Sequence, residues 1–166
     1  VRAVGRLMST ELDALGLETQ WIEMPPEMNR AGHLFARKEG SGKKLLLIGH
    51  LDTVFESDDD FQAFTRTGNI ATGPGISDMK DGNAVIIYAL KALQHIGALD
   101  DMSVTVAFTG DEEMTGKPLS ISRKDLIEAG KWADITLGFE GAITSEGSDW
   151  ATIARRSSSG WTLKVT

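Results

Sequence analysis

Residues 43–50 read KKLLLIGH: two lysines, four apolar residues in a row, then Gly49 and His50. A strand wetted on one face alternates apolar and polar side chains. An unbroken apolar run of this length belongs to a strand covered on both faces, the usual condition of a central parallel strand. Such sheets bind ligands beyond the carboxyl ends of their strands. His50 stands at that end, with Asp52 two residues on in GHLDTV.

The neighbouring sequence supplies the rest of the domain. In VRAVGRLMSTELDALG, the residues Val1, Val4, Leu7, Met8, Leu12 and Leu15 share one helical face, and Gly16 marks a stop. ETQWIEM and HLFARKE alternate as half-buried strands around a Pro25-Pro26 loop. FQAFTRTGNIATG reads as an edge hairpin turning at Gly68-Asn69. MKDGNAVIIYALKALQHIG is the strongest helix, with Val85, Ile86, Ala89, Leu90 and Leu93 expected inward. SVTVAFT and DITLGFE are expected as buried strands, with a helix over RKDLIEAG between them. The order predicts a three-layer α/β domain on a mixed sheet.

Composition narrows the partners. The 166 residues are 41% hydrophobic, enough for one domain with a core. A net charge of -7 and no basic cluster beyond Arg155-Arg156 argue against nucleic acid and anionic membranes. No apolar run approaches the ~20 residues of a membrane span. There is no cysteine, so a metal here must be held by His, Asp and Glu. Val1 in place of Met, and a strand-like GWTLKVT at the end, lead us to expect a trimmed start and a cut end. No leader is visible; cytoplasmic is the default compartment, and a periplasmic form with its leader removed would read the same.

Four short stretches place chemistry at strand ends. In GHLDTV, His50 and Asp52 lie two apart on extended backbone and point the same way; the bland alternative is a surface histidine near an unrelated acid. In GPGISDMKDG, Asp78 precedes the strongest helix, where it either ligates a cation or caps that helix. The glycines admit a phosphate cradle only weakly, because no GxxxxGK[ST] pattern is present. In TGDEEMTG, three acids follow a buried strand directly. A solvated acidic turn is the ordinary reading. The sharper one gives one acid to a cation and leaves its neighbour to take a proton from water, with Asp111 a turn residue. Glu140 ends a strand in GFEGA. His33 and His95 are read as structural.

Taken in order, GHLDTV, GPGISDMKDG, TGDEEMTG and GFEGA resemble the M20 family of metallopeptidases, which includes glutamate carboxypeptidases, aminoacylases and succinyl-diaminopimelate desuccinylases. The resemblance implies a three-layer α/β/α zinc-exopeptidase-like catalytic domain over residues 1–156, with residues 157–166 opening a lid or dimerisation domain. It implies two zinc ions. His50 resembles a ligand of one, with Asp52 its outer partner; Asp78 resembles the carboxylate bridging both, followed by a cis peptide. Glu112 resembles the general base, Glu113 the ligand of the second zinc, and Glu140 the other carboxylate on the metal of His50. The implied activity is hydrolysis of an amide bond in a small peptide or N-acyl amino acid. The resemblance further implies a homodimer formed through the lid, and a last histidine ligand that no motif here supplies, so the 166 residues alone are expected to be inactive. The alternative is a non-catalytic metal-binding or interaction module that retains the fold.

Overall fold

The computed structural model describes residues 1–56, 58–141, 143–154 and 162–165. Arg155-Arg156 and the boundary expected at 156/157 lie outside the described residues.

Helix α1 (Arg2–Ala14) leads into β1 (Glu18–Ile22) and β2 (His33–Lys38), then β3 (Lys44–His50). A hairpin of β4 (Thr65–Thr67) and β5 (Ile70–Thr72) precedes α2 (Asp81–His95) and β6 (Ser103–Thr109). Short α3 (Leu119–Ser122), α4 (Lys124–Trp132), β7 (Ile135–Gly138) and a second hairpin, β8 (Ile143–Ser145) with β9 (Ser148–Trp150), follow. Both long helices end in the same way. Gly16 and Gly97 adopt positive φ, and the next residue's N–H returns to a carbonyl five residues back, Leu17 to Leu12 and Ala98 to Leu93. Glycine takes this left-handed position without a Cβ penalty.

The main sheet runs β1-β2-β6-β3-β7. β3 pairs parallel with both β6 and β7, while β1-β2 and β2-β6 are antiparallel. The apolar run of β3 therefore does sit between two parallel neighbours, and the sheet is mixed. Helices cover both faces. Leu47, Val106 and Phe108 pack with Leu12, Ile86 and Leu90 of α1 and α2. Their alternates, Leu46 and Ala107, pack with Phe35 and Ala129 on the α4 side. Two-residue alternation thus sorts each strand between two cores.

Several expectations shift. Leu7 is 69% exposed, because the buried stripe of α1 centres on Gly5, Met8, Leu12 and Leu15 and leaves Leu7 off its edge. In α2, Val85 and Ala89 face outward and Ile87 takes the core place, a stripe rotated by part of a turn. β2 does not alternate: His33 to Ala36 are all buried, since helices cover both its faces. The hairpin of β4 and β5 forms its own sheet rather than an edge of the main one. β7 is exposed along its length; it is the outer strand, and among the described residues only β3 pairs with it.

Candidate metal centre

The parallel register sets His50 opposite Thr109. The segments that leave β3, β6 and β7 therefore emerge side by side, and the turn before α2 closes over them. Asp78 sits in that turn with non-helical backbone, and its peptide bond to Met79 is cis. It makes no cap for α2. Its carboxylate faces His50 instead.

His50 is the hub. The side chain is 1% exposed, and Nε2 lies 2.9 Å from Asp78 Oδ1 and 3.8 Å from Glu140 Oε1. Nδ1 donates to the main-chain carbonyl of Asp52 at 3.0 Å, with the Asp52 carboxylate 3.4 Å away. Burial alone would lower the pKa of this imidazole. The hydrogen bonds to Asp52 and Asp78, with the charges of Asp52 and Glu140, outweigh it and push the value up to about 9. Without a cation, His50 is an imidazolium among carboxylates.

Among the described residues two groups of side chains offer converging donor atoms, those of each group within 4.8 Å of one another: His50, Asp78 and Glu140, and His50, Glu112 and Glu113. Every residue singled out at the strand ends therefore comes to one place. Glu112 and Glu113 both reach His50, so distance does not separate a ligand from a base. The pKa of Glu113 is raised, first by burial and then by the charge of Asp78. A cation among these acids relieves that crowding, and imidazole nitrogen with carboxylate oxygens is a donor set that suits zinc.

The loop of the acids is held from two sides. The carboxylate of Asp52 accepts the backbone N–H groups of Glu112 and Glu113 at 3.1 and 3.0 Å. These bonds and that from His50 hold its pKa below the usual range, although burial acts the other way. On the far side Asp111 is fully buried. It accepts from Gly116 N at 2.8 Å and pairs with Arg123, which also bonds the Asp111 carbonyl and Thr115. Asp111 is the turn residue expected. His33, also buried, accepts from Gly110 N and, through Nε2–H, donates to the Ser122 carbonyl, so it too is scaffold. His95 ends α2, exposed and remote from this network. The bond from Asp52 to the acid loop had no signal in the sequence, because residues 52 and 113 meet only through the sheet.

A cleft of about 890 Å³ opens beside Glu113 and Asp52, with Arg30 and Lys80 on its walls. Arg30 bonds the carbonyls of Met114 and Asn29, and Lys80 that of Pro74. Among the described residues neither has a carboxylate partner.

Residues 46–155 match the sequence profile of peptidase family M20/M25/M40. The chain is 38% identical over 145 residues to carboxypeptidase G2 of Pseudomonas sp. (strain RS-16), covering 84% of this chain and 33% of that protein. It is 33% identical over 116 residues to the succinyl-diaminopimelate desuccinylase of Gluconacetobacter diazotrophicus, covering 67% and 30%. It thus spans about a third of the length of these relatives. In fold it resembles human carnosine dipeptidase 1, with a TM-score of 0.61 and 19% identity over 82% of this chain and 32% of that one. It also resembles aminopeptidase PepT from Bacillus cereus ATCC 10987, at 0.62 and 14% over 82% and 37%. The chain belongs to peptidase family M20/M25/M40, a family of metal-dependent hydrolases that act on peptides.

Proposed function

We propose that the full-length protein is a two-zinc exopeptidase or N-acyl amino acid hydrolase with carboxypeptidase-like specificity. The observation that carries this reading is the convergence of four carboxylates on buried His50, Asp78 and Glu140 at Nε2 and Glu112 with Glu113 within 4.8 Å of a ring nitrogen. His50, Asp78 and Glu140 would hold one ion; Asp78 and Glu113 would hold part of the other. Zinc there supplies Lewis acidity, polarising an amide carbonyl and making water nucleophilic at neutral pH.

The side chains do the remaining work. Glu112 takes the proton of the attacking water and returns it to the leaving amine, as a carboxylate base within reach of both does. Asp52 fixes the His50 ring through Nδ1 and holds the backbone of Glu112 and Glu113, so base and ligands keep one spacing. Arg30 and Lys80 put two cations on the wall of the adjoining cleft, beside Asp52, Glu56 and Glu113; among the described residues each bonds only main-chain carbonyls, which leaves both charges available. That favours a substrate bearing its own carboxylate, as a C-terminal residue does. The lid, its contribution to substrate binding, a last histidine ligand and dimerisation would come from sequence beyond these residues.

The competing reading, a metal-binding module without catalysis, leaves Glu112 without a task beside the sufficient ligand Glu113. The test is the zinc-loaded full-length protein assayed on N-acyl amino acids and on dipeptides ending in glutamate. Hydrolysis of at least one class is expected. Stoichiometric metal with no hydrolysis of either would favour the module.

A further inference from the structure

Asn83 lies in the first turn of α2, wholly buried; the other buried residues of that helix are apolar or glycine. Its Nδ2 donates to the main-chain carbonyl of His50 at 2.6 Å. Among the described residues its Oδ1 has no hydrogen-bond partner. Buried polar atoms without partners are costly, and folded proteins keep few of them. A leucine would fill the same space without that cost.

The oxygen is not idly placed. A Cβ added to Gly49 would fall 2.1 Å from Asn83 Oδ1. The hydrogen that glycine carries in that direction therefore points at the oxygen, as a weak C–H···O contact. Turning the amide over would set Oδ1 against the carbonyl oxygen of His50, two acceptors at 2.6 Å. The orientation is thus fixed, and one side chain of α2 brackets the junction of Gly49 and His50 with both ends of its amide. Asp78 is only five residues before Asn83, in the turn that runs into the same helix. The grip on His50 and the position of Asp78 consequently share one rigid body.

We propose that Asn83 is a positioning residue of the metal centre: by clamping the main chain of Gly49 and His50 to the start of α2, it sets the distance between His50 Nε2 and the Asp78 carboxylate. This rests on His50 being a metal ligand. Asn83 touches neither metal nor substrate; it acts through His50.

The experiment uses cobalt(II) as probe in the full-length protein, reading affinity by chelator competition and ligand geometry by visible absorption. Asn83→Leu keeps the shape and removes both polar contacts. Its affinity is expected to fall about 10–100-fold, the usual penalty for losing a partner that orients a ligand, with an altered cobalt spectrum. Ile86→Val, a core change in the same helix, is expected to lower Tm while leaving affinity and spectrum native. If Asn83→Leu does not fold, the double variant Gly49→Ala with Asn83→Ala, in which the small side chain makes room for the new Cβ, is expected to fold and still bind weakly. His50→Ala separates the two readings. Should it retain cobalt at full affinity, the ligand assignment fails and the clamp with it. Should it lose cobalt while Asn83→Leu (or the double variant) binds natively, the clamp alone is overturned. An affinity loss in Ile86→Val equal to that in Asn83→Leu at matched Tm would also overturn it, because the effect would then be one of general stability.

Discussion

The carboxylate of Asp52 accepts the backbone N–H of Glu113 at 3.0 Å while its other oxygen lies 3.4 Å from Nδ1 of His50. One side chain thus spans the strand end that carries the histidine and the loop that carries the acids. Asp52→Asn keeps the size but presents an amide N–H to at least one of these donors. Metal affinity is expected to fall about 10–100-fold, and amide exchange at Glu112 and Glu113 to quicken. Faster exchange distinguishes this double role from a contact with the imidazole alone, which would leave the acid loop as protected as before.

Glu112→Gln is expected to remove turnover in the full-length enzyme by about 10²–10⁴-fold, the range for a general base, with metal content nearly intact. Glu113→Gln is expected to lose metal as well. Both carboxylates have an oxygen within 4.8 Å of a His50 ring nitrogen, so the assignment depends on metal analysis of the two variants side by side. Equal metal loss in both would make Glu112 a ligand.

How much of this was legible in the sequence depended on periodicity and punctuation. The run Leu45 to Ile48 announced the central strand, and the glycine-flanked acids at strand ends announced the site. DITLGFE reads as buried because it is apolar by composition, whereas β7 is an outer strand, covered only if something packs on it. Val85 reads as inward and Ile87 takes its place, because a stripe read from helical spacing fixes the phase only to about one residue. Asn83, and the pairing of Arg123 with Asp111, gave no signal. Asn83 joins segments by a bond from side chain to main chain and Arg123 by an ion pair between side chains, and neither leaves a repeat or spacing to read.

The metal-free protein should show opposite pH trends in stability and metal affinity. His50 has its folded pKa raised to about 9 from the ordinary 6.5 or so of an unfolded histidine. Its contribution to stability is therefore complete below about pH 6.5 and lost as pH rises through about 9. The Tm of the metal-free chain should fall over that window by more than that of His50→Ala. Metal must displace the proton on Nε2, so affinity should rise over the same window, by up to about tenfold per pH unit for one proton released. An imidazole that titrates near 6.5 by NMR in the metal-free protein would remove the basis of both trends.

Lys80 and Arg30 should discriminate by charge. Their ammonium and guanidinium groups lie on the cleft wall near Glu113 and, among the described residues, bond only to main-chain carbonyls. For a pair of substrates differing only as glutamate and glutamine, Lys80→Met and Arg30→Met should reduce kcat/KM for the glutamate form about tenfold and leave the glutamine form nearly unchanged. An equal loss on both would assign the two cations to holding loops, through Pro74 and Met114, rather than to substrate.

The last prediction concerns the 166 residues by themselves. Both groups of converging donors include His50. Its Nδ1 is turned away to Asp52, so only Nε2 is available to a metal. One ion can therefore take His50, Asp78 and Glu140, three protein ligands as a zinc site with bound water requires. A second ion would be left with Asp78 and Glu113, or with Glu112 and Glu113, and two carboxylates make a weak site. Titration of the isolated chain with zinc should accordingly show one ion bound well and any further ion only weakly. His50→Ala should abolish the strong site, while Glu113→Gln should leave it nearly unchanged. The same chain should hydrolyse neither N-acyl amino acids nor glutamate dipeptides. Two equivalent tight sites, or measurable turnover, would mean that these residues alone complete the centre.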